Sequence, residues 1–439
     1  MDTPICEFVR DYALKAPLRL HMPGHKGKAF LGPEGLDITE VSGADSLYAA
    51  DGIIRRSEEN ASRLFGCPTF YSAEGSSQCI RAMLYLAMLQ AKEEGRRPLI
   101  AAARNVHKAF LSAVALLGLD VVWLYPEEEG SYLSCQVTVD ALEGLLRAER
   151  PAAVYLTSPD YLGNMADIGV LSQVCRRHGA LLLVDNAHGA YLRFLEPSLH
   201  PMDLGADMCC DSAHKTLPVL TGGAYLHITP GPGVERAKAA LALFGSTSPS
   251  YLILQSLDLA NVYLESFPPR LRALLEGLEA LKERLREAGF VLLGREPMKL
   301  TLAARAYGYP GTELAELLRH GGIECEFADP DVLVLMVTPE NTEEDLARLR
   351  AALLAIPRKA PVSQPAVMPG RGAEAMSVRG AMLSPWEEIP VEKSEGRILA
   401  SPSVGCPPAV PIAVCGQRIG KEAIECFRYY GIESVAVVK

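Results

Sequence analysis

Short apolar runs alternate with helical segments along the first half of the chain. The segment 76–94 is the clearest helix, because its apolar side chains recur at helical spacing. Further helices are predicted at 57–65, 107–117, 139–148 and 168–178, and strands at 99–104, 121–125, 153–159, 181–187, 208–212 and 223–228. Strands this apolar, alternating with helices, indicate a mostly parallel sheet covered on both faces. The pattern predicts an α/β fold for this half.

The pattern changes after about residue 250. Residues 251–288 predict long helices broken at Pro268-Pro269, and the strand candidates VLLGREPMKLTLAA, GIECEF and DVLVLMV then alternate with helices at 312–320 and 341–355. The segment 357–375 is dense in Pro, Gly, Ala and Ser, which is typical of a linker. We therefore predict four parts: a lead-in and large domain (1–250), a small α+β domain (251–356), a linker (357–375) and a C-terminal domain (376–439). The first 55 residues give no clear helix.

The amino-acid composition argues against several classes of protein. The 439 residues are 49% hydrophobic and 22% charged, and the net charge is −10, which argues against nucleic acid as the main partner. An acidic surface fits a cationic substrate weakly, but ordinary solubility explains it equally. The eleven cysteines form no C-x-x-C pair, so no metal site is predicted. With no signal-like start and no apolar run of ~18 residues, we expect a cytoplasmic protein without a membrane partner.

Two segments at predicted strand ends or helix starts carry candidate binding chemistry. Gly75-Ser76-Ser77 opens the helix at 76–94, where backbone N–H groups and hydroxyls suit a phosphate, although a serine N-cap is an equally simple interpretation. Asp185 ends the apolar run LLLVD, with His188 three residues later. A carboxylate at such a position either caps a helix or meets a cationic or hydrogen-bonding group, because burial without a partner is costly.

Lys215 is the sharpest feature of the chain. It lies in Ser212-Ala213-His214-Lys215-Thr216, just after an apolar strand. Desolvated lysines form Schiff bases with carbonyls, whereas most lysines are solvated surface residues. His107 follows the strand at 99–104 and could stack on a cofactor ring or be structural.

Together these residues describe a pyridoxal 5'-phosphate site. That cofactor needs a Schiff-base lysine, an acid for its pyridinium nitrogen and a cradle for its phosphate. Lys215, Asp185 and Gly75-Ser76-Ser77 supply this set in the order cradle, acid, lysine. The conjunction is far more specific than any one member.

The chain resembles the Orn/Lys/Arg decarboxylase family, whose members are pyridoxal-phosphate enzymes with the aspartate-aminotransferase type of fold (fold type I), at the length of the short bacterial members. The matching segments are His21–Gly27, Asp37–Glu40, Arg104–Lys108, Val184–Gly189, Ser212–Leu217 with Leu220-Thr221, Thr247–Tyr251, and Cys406–Pro408 with Pro411. The resemblance implies that Lys215 is the Schiff-base lysine, that Asp185 pairs with the ring nitrogen and that His107 stacks on the ring.

The resemblance also implies a phosphate region and a dimer. It assigns Ser76, Ser77, Ser212 and His214 to the phosphate, and Thr247-Ser248 to a segment that reaches the phosphate of a neighbouring subunit. The implied activity is decarboxylation of arginine, lysine or ornithine, with a polyamine-biosynthetic role and a homodimer as the smallest working unit. Lys215 or His188 would return the proton to Cα, and Glu326 is a candidate for the substrate's cationic end, unless it is simply a solvated loop residue.

Several positions depart from the family pattern. Asn186 stands where Glu is usual, Ala213 where Thr is usual, and Gln417 where the C-terminal domain usually has Glu; Gly222-Gly223 replace a more polar pair. These departures bear on substrate choice. The alternatives are another pyridoxal-phosphate reaction, such as transamination or elimination, and a non-catalytic binding protein. A dinucleotide-dependent oxidoreductase would need a G-x-G-x-x-G motif after its first strand, and this sequence has none there.

Overall fold

A computed structural model of the chain describes residues 1–126, 130–363, 367–402 and 409–439. In chain order the α-helices of these residues are α1 (Pro4–Leu14), α2 (Ile53–Phe65), α3 (Ser76–Glu93), α4 (Lys108–Leu117), α5 (Val139–Glu149), α6 (Ile168–Arg177), α7 (Ala213–Thr216), α8 (Pro232–Ala242), α9 (Tyr251–Glu265), α10 (Phe267–Glu287), α11 (Ala304–Tyr307), α12 (Gly311–His320), α13 (Glu343–Leu354), α14 (Val378–Met382) and α15 (Lys421–Tyr429). The strands are β1 (Thr69–Ser72), β2 (Leu99–Ala103), β3 (Asp120–Leu124), β4 (Ala153–Thr157), β5 (Leu181–Asp185), β6 (Met208–Asp211), β7 (Ala224–Ile228), β8 (Leu292–Leu293), β9 (Lys299–Ala303), β10 (Phe327–Ala328), β11 (Val332–Met336), β12 (Trp386–Pro390) and β13 (Ser434–Val438).

The chain divides into two compact units, and each is interrupted in sequence. The first comprises Met1–Arg97 and Ile168–Arg270, and the second comprises Pro98–Asp167 and Leu271–Lys439. This division reflects which segments pack together, whereas the predicted domain boundaries rest on composition and on a linker. It therefore does not test those boundaries, which stay predictions.

The first unit contains the strand order β1-β7-β6-β5. β5 and β6 are parallel, whereas β7 runs antiparallel to both β6 and β1. Every residue of β6 and β7 is buried, and α3 packs on these strands. Strands covered in this way read as continuous apolar runs, which is why MCCD and AYLHI carry almost no polar side chain.

The second unit contains three groups of strands. β4, β2 and β3 lie side by side and parallel. β10, β11, β9 and β8 form an antiparallel sheet, and β12 pairs with β13. The C-terminal segment has a core of its own, which includes Leu399, Phe427 and Val437.

Three sequence-based expectations are wrong in detail. The helical stretch breaks at Ser266, and Pro268-Pro269 lie in the first turn of α10, where a missing N–H costs little. The segment GIECEF forms a strand only from Phe327, because β10 pairs with β11 over two residues. The first 55 residues include the helix α1, which buries Ile5 and Val9.

Candidate active site

Asp185 and Lys215 follow the two parallel strands of the first unit. Asp185 is the last residue of β5 and pairs in register with Cys210 of β6. Lys215 lies in α7, which begins two residues after β6 ends. Because parallel strands end at the same edge of a sheet, this pairing brings the acid and the lysine to one edge.

Asp185 lies in an almost closed environment. The residue is 2% exposed, and its Oδ1 accepts hydrogen bonds from the Ala187 backbone N–H (3.2 Å) and the Cys210 thiol (3.7 Å). Burial, with the Asp185 charge beside it, raises the pKa of Cys210 well above its ordinary value, so the thiol remains a donor. A carboxylate held in this way suits a buried cationic partner such as a pyridinium N–H.

Lys215 is paired with His188. The Nζ of Lys215 lies 3.0 Å from Nε2 of His188, which is 5% exposed and follows β5 in the same turn as Asp185. An ammonium has donors and no acceptor, so a neutral imidazole can accept its hydrogen bond through Nε2. The pair can therefore hold and exchange one proton at these two atoms.

The start of α3 offers donors for an anion. Gly75 adopts φ +72°, in the left-handed region that favours glycine, and its N–H donates to the Gly222 carbonyl (2.7 Å). No side chain caps the helix, so the first N–H groups, at Ser76 and Ser77, have no intrahelical acceptor. The Ser212 hydroxyl donates to the Ser76 hydroxyl (2.8 Å), which ties the helix start to the segment after β6.

His214 adds a neutral imidazole to this region. Its Nδ1 lies 3.0 Å from the Gly223 carbonyl and donates to it. Burial lowers the pKa of His214 despite this hydrogen bond, and the Lys215 charge lowers it further. The ring is thus uncharged at neutral pH.

These residues fit pyridoxal 5'-phosphate by their chemistry. The first unit provides a lysine with a proton acceptor beside it, a buried carboxylate and a group of hydroxyl and backbone donors. Each matches one requirement of the cofactor.

Three other predicted site residues have only local contacts among those described here. His107 belongs to the second unit, where it caps α4 and its Nδ1 accepts the Ala109 N–H at 3.1 Å. Thr247 and Ser248 are exposed between α8 and α9. Their roles, like those of the other site residues, stay predictions. The motif Cys406–Pro408 lies outside the described residues.

The two candidates for reading a cationic substrate have partners within the second unit. The Oε1 of Gln417 accepts the Val414 N–H (3.2 Å), and its Nε2 donates to the Tyr125 hydroxyl (3.3 Å). Glu326 accepts a hydrogen bond from the Tyr161 hydroxyl (2.7 Å).

Sequence reasoning missed a buried network around Asp211. Its Oδ2 lies 3.1 Å from Nε2 of both His200 and His227, and its Oδ1 accepts from Asn186 Nδ2 at 2.6 Å. All four residues are fully buried. The pattern that singles out Asp185, a carboxylate at the end of an apolar strand, also applies to Asp211 and could have identified it.

Four residues in and beside this network are of the types that bind metal ions, and their ligand atoms lie within 4.8 Å of one another: His200, Cys209, Asp211 and His227. The hydrogen bonds favour a metal-free arrangement. Nδ1 of His200 accepts the Met202 N–H, so its Nε2 carries a proton and donates it to Asp211, whereas a metal would need the Nε2 lone pair. The two imidazoles outweigh the effect of burial and hold the pKa of Asp211 well below its ordinary value.

Fold and site together define a pyridoxal-phosphate-dependent enzyme of fold type I. The chain belongs to the Orn/Lys/Arg decarboxylase family, because residues 3–288 match the model of the Orn/Lys/Arg decarboxylase major domain. It is therefore an amino-acid decarboxylase with pyridoxal 5'-phosphate as cofactor, as the resemblance implied. The expected fold class, family, cofactor and enzyme class are confirmed.

Two curated relatives match nearly the whole chain. The uncharacterized protein YaaO of Bacillus subtilis is 30% identical over 97% of this chain and 93% of its own length. An arginine decarboxylase of the same organism is 28% identical, over 96% and 92%. Among solved structures, the constitutive lysine decarboxylase of E. coli has a TM-score of 0.77 at 18% identity, covering 100% of this chain and 82% of that one. None of the helices in the described ranges is long and apolar enough to cross a membrane.

Proposed function

We propose that the enzyme decarboxylates L-arginine to the corresponding amine and carbon dioxide, in polyamine biosynthesis. The basic character of the substrate follows from the family. The choice of arginine is supported by the arginine decarboxylase that matches along the whole chain. The lysine decarboxylase structure is too distant in sequence to speak for more than the fold.

The observation that carries the catalytic assignment is the arrangement of Asp185 and Lys215 after paired parallel strands. In this proposal Lys215 binds the cofactor covalently and Asp185 keeps its ring nitrogen protonated. The N–H groups of Ser76 and Ser77 face its phosphate, where Gly75 provides the turn into the helix, together with the side chains of Ser212 and His214. His107 is assigned to the ring face.

The cofactor supplies an electron sink for the bond that breaks at Cα. The chain contributes proton handling and a dry environment. Since His188 Nε2 lies 3.0 Å from Lys215 Nζ, a proton on the lysine can pass to the imidazole, which leaves the amine as a nucleophile. The same pair can later return a proton to Cα. The burial of His188 and Asp185 excludes water from these groups.

A homodimer is part of the proposal. Thr247 and Ser248 are exposed in this chain, as expected of residues that serve a neighbouring subunit. Ser248 N–H donates to the Ser246 hydroxyl (3.1 Å), and Ser246 N–H donates to Glu74 (2.9 Å), so the segment is held locally. Sedimentation of the holoenzyme as a monomer would contradict this part.

The test is release of carbon dioxide by the purified holoenzyme from arginine, lysine and ornithine supplied separately. We expect release from arginine, together with a visible absorption band from the bound cofactor. Lys215→Ala removes both, whereas Lys92→Ala, an exposed lysine on α3, leaves both unchanged. Release from lysine or ornithine alone would overturn the choice of substrate. An intact band in Lys215→Ala would overturn the assignment of the lysine.

A further inference from the structure

A pocket of about 180 Å³ lies wholly within the second unit, remote in sequence from Asp185 and Lys215. It is formed where the ends of β2 and β3 meet the segment predicted as a linker. Its lining includes Arg104, Tyr125, Tyr132, Ser134, Met368 and Arg371. Among the described residues, the lining therefore presents two cations and aromatic rings to one space, and it contains no carboxylate.

Arg104 brings a poorly compensated charge to this pocket. Its Nη1 and Nη2 donate to the carbonyls of Pro411 (3.0 Å) and Ile412 (2.8 Å). A guanidinium has five N–H donors, so three remain. Among the described residues no carboxylate forms an ion pair with it, and the two acceptors that it does bond are neutral carbonyls. Burial lowers the pKa of Arg104, which reports the cost of holding this charge away from water.

Arg371 and the two tyrosines complete the recognition surface. The guanidinium of Arg371 lies over the Tyr125 ring at 4.5 Å from its centroid, a contact that uses the flat face of the guanidinium and not its N–H groups. The Tyr125 hydroxyl accepts from Gln417, so its own proton is available for another acceptor. Tyr132 packs edge-on against Tyr430, with 4.8 Å between the ring centroids.

We propose that this pocket binds a small organic anion, a carboxylate or phosphate on a compact apolar body. A guanidinium group can bind a carboxylate or a phosphate through two parallel N–H donors. The aromatic rings and Met368 offer apolar contacts to the rest of the molecule. The volume fits such a molecule, because a cavity of about 150 Å³ holds benzene. A basic amino acid is repelled by the two guanidinium groups, so the pocket is not the site of the substrate's cationic end. The assignment does not depend on which amino acid the enzyme decarboxylates.

The test is calorimetric titration of the cofactor-saturated holoenzyme with benzoate, phenyl phosphate and inorganic phosphate. Saturation with cofactor keeps the phosphate probes from its own phosphate site. The variants are Arg371→Gln, which removes an exposed pocket cation, and Arg350→Gln, an exposed arginine on α13 outside the pocket. Fluorescence of Trp123, two residues before Tyr125 in the chain, gives a second readout that does not depend on activity.

We expect benzoate or phenyl phosphate to bind once per chain and to perturb Trp123. Binding weakens roughly tenfold or more in Arg371→Gln, as expected for loss of a charge-assisted hydrogen bond, and is unchanged in Arg350→Gln. Binding of benzoate identifies carboxylates as ligands, and binding of phenyl phosphate alone identifies phosphates. Equal binding to wild type and Arg371→Gln, or no binding of any probe up to ~10 mM, overturns the proposal.

Discussion

Replacing Asp211 by Asn tests the buried network directly. The side chain is fully buried and its carboxylate accepts from His200, His227 and Asn186. Asparagine has the same shape but only one acceptor oxygen, so its NH₂ group must face either the two imidazoles or the Asn186 amide. Facing the imidazoles, it sets a donor against donors. Facing Asn186, it requires that amide to turn so that its Oδ1, which has no partner among the described residues, becomes the acceptor. In both orientations the charge-assisted hydrogen bonds to the carboxylate are lost. No cavity forms, so the cost reports hydrogen bonding and charge alone.

The expected loss is about 1.5–3 kcal/mol of unfolding free energy, the range for hydrogen bonds to a charged group. With an unfolding entropy of about 2 cal/mol/K per residue, this loss lowers the melting temperature of a 439-residue chain by at least about 2 °C. The shift is larger if the two units unfold separately, because less entropy is then released. The assay is thermal unfolding of the holoenzyme at fixed cofactor concentration.

Asp140→Asn is the matched control, since Asp140 is an exposed residue in the first turn of α5. We expect this change to alter stability by less than about 0.5 kcal/mol. The Asn186–Asp211 hydrogen bond links the segment after β5, which bears His188, to the segment before Lys215. Asp211→Asn should therefore also weaken cofactor binding. A variant that melts with the wild type would refute the view that the Asp211 carboxylate is a charged acceptor that stabilises the fold.

Three further predictions follow from the first unit. His188→Gln should lower kcat about 100-fold and change its pH profile, because glutamine fills the space but cannot exchange a proton; unchanged kcat would exclude His188 from proton transfer. Ser76→Ala should weaken cofactor affinity up to tenfold, about 1 kcal/mol for a lost hydrogen bond, measured by fluorescence titration, while Ser112→Ala on α4 should not. Burial lowers the pKa of His214 and His227 below the ordinary value of 6.5. As the pH falls, these histidines therefore take up protons in the unfolded chain before they do so in the folded protein. The free energy of unfolding should decrease below about pH 6.5. Denaturant midpoints from pH 8 to 5 measure this, and a flat profile would contradict it.

Much of the α/β half could be predicted from sequence because most of its strands are short runs of mainly apolar residues. The predicted strands at 99–104, 121–125 and 181–187 contain β2, β3 and β5 or overlap them closely. β1 was missed because Thr69–Ser72 is half polar and only four residues long. It is a strand by virtue of its pairing with β7, from Thr69–His227 to Ser72–Ala224, and such a long-range pairing leaves no local period.

The candidate site likewise has a part that the sequence predicts and a part that it does not. Asp185, Lys215 and the start of α3 could be predicted because each lies at the end of a strand or the start of a helix, where local pattern is informative. The contact between His188 and Lys215 joins residues 27 positions apart, and that between Asn186 and Asp211 joins residues 25 apart. Side-chain pairings of this kind depend on how β5 and β6 align, which the sequence does not state.

Asp185 and Asp211 show why pattern alone cannot assign function. Both end apolar strands, and the two strands are parallel neighbours. Asp211 accepts hydrogen bonds from three side chains supplied by other parts of the chain, so its negative charge is compensated by the protein itself. Among the hydrogen bonds that Asp185 accepts are those of a backbone N–H two residues further on and of a weakly donating thiol, and neither donor carries a positive charge. The same sequence signal thus produces a structural anion and a candidate cofactor ligand, and the donors around each carboxylate distinguish them.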